Sequence, residues 1–91
     1  MKKVLVLGKI HNSGINFLKT NSYHVDELSD QNDLYKDKLG LYDALIVKMT
    51  KVDNEFINHS KNLKIIARHG VGYNNIDLKI INSKKIPLFI V

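Results

Sequence analysis

The sequence predicts an α/β domain, an open, mostly parallel five-stranded sheet with helices on both faces. Three observations carry this. Short, continuous apolar runs recur along the chain, as strands covered on both faces require. Helix caps followed by apolar residues at helical spacing fall between those runs. The two signals alternate throughout, which gives βαβ units with right-handed crossovers.

The first strand is Val4-Leu5-Val6-Leu7. Asn12 or Ser13 can cap a helix that places Ile15 and Leu18 on one face, with Phe17 a further candidate for it. Tyr23-His24-Val25 is a weaker strand, read as an edge. Asp33 to Leu39 is read as helical, although its apolar spacing is mixed. Ala44-Leu45-Ile46-Val47 is the next strand. Asp53 then has the position of an N-cap, and Val52 with Ile57 match a hydrophobic staple. Leu63-Lys64-Ile65-Ile66-Ala67 is a strand, and Asn75 can cap the last helix, where Ile76 and Ile80 share a face beside Ile81. Asp77 near its start and Lys84-Lys85 near its end suit the helix dipole. Pro87-Leu88-Phe89-Ile90-Val91 is the closing strand.

Composition bounds the answer. The 91 residues make one domain, residues 1–91, and a chain 44% hydrophobic and 25% charged is not a disordered one. There is no cysteine, which excludes disulfides and thiolate chemistry and fits a reducing cytoplasm. The net charge is +5, from 14 basic and 9 acidic residues. The lysines are scattered in runs of no more than two, so they read as a solvated surface and not as a nucleic-acid stripe. Lys2-Lys3 precede an apolar run that stops at Gly8-Lys9, too short for a signal peptide, and no run approaches a membrane span. A cytoplasmic protein without nucleic-acid or membrane partners is expected.

In parallel sheets ligands sit outside the carboxyl ends of the strands, so the loops of interest are Gly8–Asn12, Lys48–Val52 and Arg68–Asn75. The most informative stretch is Ala67-Arg68-His69-Gly70-Val71-Gly72-Tyr73-Asn74-Asn75-Ile76-Asp77. Glycines before a helix let backbone amides approach an anion. A dinucleotide fingerprint is not met, because its third glycine would be Asn75. A P-loop is not met either, since Gly8 to Gly14 has the wrong spacing. Taken alone, the stretch fits a plain glycine turn as well as it fits an anion site. His11, His24, His59 and His69 form no metal-ligand pattern; His69 and Arg68 border the glycine loop and are candidates to line a cleft, beside ordinary structural roles.

The stretch does not stand alone. Arg68-His-Gly-Val-Gly-Tyr-Asn-Asn-Ile-Asp77 resembles the R-x-G-V-G-x-D/N-N-I-D segment of the D-isomer-specific 2-hydroxyacid dehydrogenases. Asn62-Leu63-Lys64-Ile65-Ile66, Tyr42-Asp43-Ala44-Leu45-Ile46-Val47 and Lys85-Ile86-Pro87 are similar to further segments of that family, in the right order, over essentially the whole chain. Phosphoglycerate dehydrogenase-like members resemble it most.

The resemblance implies a flavodoxin-like substrate-binding domain whose partner, a nucleotide-binding domain, lies outside these residues. It implies that Lys48, Met49 and Thr50 face the cleft and touch substrate, and that the amides of Gly70, Val71 and Gly72 help to hold the carboxylate of a small 2-hydroxy acid. It further implies that the arginine, glutamate and histidine of hydride transfer to NAD belong to other regions. No catalytic, cofactor-binding or metal residue is therefore assigned here. The chain alone is expected to be inactive and to bind no NAD. Four positions depart from the family pattern: Lys48 stands where arginine is frequent, Met49 where a small polar residue is common, Asn74 where aspartate is frequent, and Lys85 where glycine would close a helix in left-handed geometry. In the family a C-terminal segment returns to complete the domain, so exposed apolar surface and homo-oligomerisation are expected. The alternative function is a stand-alone, non-enzymatic flavodoxin-like module for assembly or regulation.

Overall fold

The computed structural model describes residues 2–8, 10, 12–29, 34–69 and 75–90. In chain order these form β1 (Lys3–Leu7), α1 (Asn12–Thr20), β2 (His24–Leu28), a 3-10 helix (Leu34–Leu41), β3 (Ala44–Val47), α2 (Asn54–His59), β4 (Ile65–Arg68), α3 (Leu78–Ser83) and β5 (Leu88–Ile90). The strands lie in the order β2-β1-β3-β4-β5, and every pairing is parallel. The expected flavodoxin-like α/β architecture is the one observed. Its strand order reverses direction between β1 and β3, the place where open parallel sheets commonly form a ligand crevice.

Alternation along the strands sorts side chains onto two faces. Leu5, Leu7, Leu45, Val47 and Ile66 face a large core, closed by Tyr35 and Leu39 of the 3-10 helix, Phe56 and Ile57 of α2, and Ile81 of α3. Val4 and Val6 face a smaller core under α1, anchored by Ile15 with Leu18 packed beside it. Phe17 does not join it and is 68% exposed. Ile15 and Leu18 are three residues apart and share a face, whereas Phe17 projects from another side of the same turn. Beyond α1 this second face is less covered: Ala67 pairs with Phe89 in register, and Phe89 is 56% exposed.

Strand boundaries differ from expectation where local hydrophobicity and pairing disagree. The weak edge strand is real, but it runs from His24 to Leu28, through Asp26 and Glu27, because β1 offers a full ladder to it. β4 is shifted to Ile65–Arg68 and so ends on a charged residue.

Helix ends show where the sequence signals were read correctly and where they were not. Asp53 caps α2, its carboxylate accepting from the Phe56 amide at 3.0 Å, and Val52 and Ile57 are both buried in the large core. α1 starts at Asn12, so Asn12 and Ser13 stand inside its first turn and not before it. Asn75 does not cap α3; Asp77 does, accepting from the amides of Lys79 and Ile80 at 3.1 and 3.3 Å. At the other end of α3, Lys85 is left-handed (φ 58°), as the missing glycine foreshadowed. The Ile86 amide donates to Ile81 and the Lys85 amide to Asn82, which is a Schellman closure with Ile86 and Ile81 both buried. Ser22 (φ 67°) closes α1 in the same way: Tyr23 donates to Leu18 and Ser22 to Lys19.

The amino ends of the strands are tied by Asp43. Its backbone bonds both Lys3 and Lys64, and its carboxylate accepts from the Lys3 amide at 3.0 Å and the Lys64 ammonium at 3.2 Å. Those two donors hold its pKa below the usual carboxylate range, the Lys3 amide first. Nearby, the Tyr42 hydroxyl donates to Asp26 at 2.6 Å. That bond is the main cause of a lowered Asp26 pKa, with His24, 3.2 Å away, adding to it. Burial, then the Asp26 bond, push the Tyr42 phenol well above its ordinary value.

Candidate functional site

The carboxyl ends of β3 and β4 feed the two loops singled out from the sequence. β3 runs into Lys48-Met49-Thr50, and β4 ends at Arg68. Adjacent parallel strands put the starts of these loops side by side, with Val47 opposite Arg68 in register. The His69 amide donates to the Val47 carbonyl at 2.8 Å and extends the ladder by one bond. Farther along, Val52 donates to Asn75 at 2.8 Å and Asp77 donates back to Val52 at 2.9 Å, which forms a parallel bridge between Val52 and Ile76. Residues 75–77 therefore lie against the first loop.

Asn75 stands where they meet. Its side-chain oxygen accepts from Arg68 Nε at 3.0 Å, and its side-chain nitrogen donates to the carbonyls of Thr50 at 2.7 Å and Lys48 at 3.3 Å. Only a primary amide offers an acceptor and two donors on one short stem. Arg68 is 6% exposed, and its Nη2 also lies 3.7 Å from the Met49 sulfur. The guanidinium thus lies beneath the Lys48–Thr50 loop as a strut. A structural bond from Arg68 to the neighbouring loop is thus present, made to the side chains of Asn75 and Met49.

Of the residues assigned to substrate contact, Lys48 is half-buried, Met49 is 73% exposed and Thr50 is buried. Gly70, Val71 and Gly72, and with them the departure at Asn74, lie outside the described residues. A shallow groove bordered by Lys51, Asp53, Asn75 and Asp77 runs past the junction of the two loops. The histidines do not converge on it: His24 faces Asp26, a ring nitrogen of His59 lies 2.8 Å from the Glu55 carbonyl of its own helix, and His69 is exposed. His11 lies outside the described residues. Among the described residues no group of three or more His, Asp or Glu could hold a metal, and no helix is long and apolar enough to cross a membrane.

Sequence reasoning found both loops and missed Asn75. It read that residue as a helix cap, since an asparagine before an apolar helix start is a common cap. Its role depends on carbonyls 25 and 27 residues away, for which local sequence carries no signal. The same side chain bears on a dinucleotide. The fingerprint keeps its third glycine to bring helix and strand together, and here Asn75 fills that position and is engaged across two loops. At its third position, then, the dinucleotide fingerprint is not met.

The fold is that of a doubly wound α/β domain, with two loops joined at the carboxyl ends of the strands beside a topological switch point. Residues 4–91 match the family described as D-isomer specific 2-hydroxyacid dehydrogenase, catalytic domain, and the chain belongs to that family. It is 37% identical to a 2-hydroxyacid dehydrogenase-named protein of Staphylococcus haemolyticus, over 97% of this chain and 29% of the relative. It is also 37% identical to D-3-phosphoglycerate dehydrogenase of Archaeoglobus fulgidus, over 92% of this chain and 16% of that one. A solved protein of Pyrococcus horikoshii superposes with a TM-score of 0.91 at 30% identity, over 100% of this chain and 28% of that chain. NAD-bound 3-phosphoglycerate dehydrogenase of Entamoeba histolytica superposes with a TM-score of 0.84 at 24% identity, over 99% and 33%, a likeness of fold. The chain thus spans less than a third of the relatives it matches.

Proposed function

We propose that residues 1–91 are the substrate-binding domain of an NAD-dependent D-2-hydroxyacid dehydrogenase of the phosphoglycerate dehydrogenase-like kind. The observation that carries this is the junction at Asn75, which holds the Lys48–Thr50 loop against the end of β4 at the carboxyl edge of the sheet. A rigid, amide-rich edge there can receive the carboxylate of a small 2-hydroxy acid. Lys48, Met49 and Thr50, with Gly70, Val71 and Gly72, are the residues we assign to that contact. Lys48 supplies a point charge in place of a planar guanidinium, so it attracts an anion without fixing its orientation.

NAD, in this reading, is held by a second domain, and hydride transfer takes place where the two domains close over the substrate. The chain alone holds one side of the reactants and does not turn over. A cysteine-free chain suits a reducing cytoplasm. The sparsely covered sheet face around Phe89 is the surface through which we expect the chain to self-associate, and light scattering at rising concentration measures this.

Calorimetry with the 91-residue chain tests the assignment. Millimolar binding of a 2-hydroxy acid, with no heat from NAD, is the expected result. Saturable NAD binding would overturn the division of labour between domains.

A further inference from the structure

We propose that the cleft between the carboxyl ends of α2 and α3 is a second binding site, one that takes a carboxylate carried on a compact hydrocarbon body. The cleft has a volume of about 290 Å³, close to the lower bound of roughly 300 Å³ usual for small-ligand pockets. It lies at the amino ends of the strands, where Leu63 precedes β4 and Ile86 precedes β5. The Lys48–Thr50 loop and Arg68 are at the opposite edge of the sheet. The cleft is thus separate from the candidate substrate site and does not depend on its assignment.

Its lining has two chemically distinct parts. Ile57 and Ile86 belong to the large core, and with half-buried Leu63 they present hydrocarbon to the cleft. Lys61 and Lys84, both exposed, also line it, and no Asp or Glu does. Neither ammonium makes an ion pair or hydrogen bond among the described residues. Lysines near helix ends often serve the last carbonyls, but here the backbone does so. The Ser60 amide donates to Ile57 at 3.0 Å, the Lys84 amide to Ile80 at 3.1 Å and the Ile86 amide to Ile81 at 3.0 Å. The Ser60 hydroxyl donates to the Phe56 carbonyl at 2.9 Å. The two cations are therefore left to meet an anion from outside. An inorganic anion would leave the Ile57, Leu63 and Ile86 floor in water, and a neutral hydrocarbon would leave both charges unanswered. A hydrocarbon carboxylate covers the floor and pairs with the ammonium groups.

The test is an NMR titration of the 91-residue chain with sodium cyclohexanecarboxylate. Sodium acetate serves as the anion without the hydrocarbon, and cyclohexanecarboxamide as the hydrocarbon without the charge. The amide signals of Lys61, Leu63 and Ile86 are expected to move saturably with cyclohexanecarboxylate, at the millimolar affinity of so small a ligand. Acetate and the carboxamide should each bind about tenfold more weakly or not at all. Lys61→Gln with Lys84→Gln, two exposed positions, should weaken cyclohexanecarboxylate about tenfold, the scale of two solvent-exposed charge contacts. Lys19→Gln removes the same kind of charge from α1, on the other face of the sheet, and should leave the affinity unaltered. An equal response to the carboxamide would overturn the proposal, since the site would then not select an anion. An equal response to acetate would overturn it too, since the apolar floor would then have no part. So would unchanged affinity in the double variant, or saturable shifts confined to the Lys48–Thr50 edge, or none at all.

Discussion

The two ends of the sheet are each tied by one side chain, and the two ties are chemically opposite. At the amino ends, Asp43 clasps β1 and β4 with a carboxylate that reaches a backbone amide and a lysine. At the carboxyl ends, Asn75 joins two loops with a neutral amide that accepts on one side and donates on the other. A carboxylate only accepts, so it can gather N–H groups but cannot hold carbonyls. The amide can hold carbonyls, and it adds no negative charge where an anionic substrate is expected. The amino end uses charge in solvent, where it contributes little and titrates. The carboxyl end uses a half-buried dipole whose bonding does not change with pH.

The most severe way to break the contrast is Asn75→Ala. It removes the acceptor of Arg68 Nε and the donor to the Lys48 and Thr50 carbonyls, and should lower stability by about 3 kcal/mol in urea unfolding. A loss no larger than that of a surface substitution would show that the loops do not depend on this tie. At the opposite end, Lys85→Gly should raise stability by about 1 kcal/mol, because glycine adopts the left-handed closure without steric strain. The urea midpoint should rise with an unchanged slope.

Tyr42→Phe probes titration at the amino end. Removing the hydrogen bond to Asp26 should cost up to about 1 kcal/mol at neutral pH, discounted because Asp26 is partly exposed. Asp26 has a lowered folded pKa, so its contribution is present above the unfolded carboxylate value and is lost as pH falls through the folded one. The gap between wild type and Tyr42→Phe should therefore narrow in acid. Tyr42 has a raised folded pKa, so wild type should also lose stability as pH climbs past the ordinary phenol value, and the variant should not. Stability curves across pH measure both limbs. Asp43→Asn should show the smallest change: an unaltered midpoint at neutral pH within the error of denaturation, and a shallower loss in acid. Asn75→Gln or Asn75→Ala, by contrast, should leave the shape of the pH profile unaltered.

Much of this was legible in sequence because it is local. Asp53 and Phe56 lie within one turn, so the cap of α2 can be read directly. The departure of Lys85 from glycine likewise foretold a strained closure, because a Schellman motif is specified by its own helix end. Ser22 has the same geometry without a comparable signal, since serine is ordinary in a turn. Phe17 was over-read because an apolar residue in a helix need not be on its buried stripe. β2 was under-read because Asp26 and Glu27 dilute its hydrophobicity, while pairing with β1 extends it.

The order of apolar runs and caps alone determined the class of fold, the parallel sense of its sheet and the loops in which a ligand would be sought. Those properties follow from periodicity and connection rules that act over a few residues. Only the tertiary structure decided that Asn75 bonds across the loops in place of capping a helix, and that Arg68 is buried against it. A side-chain amide bonds equally well to near and distant partners, and its choice is made when packing brings Lys48 and Thr50 within its reach.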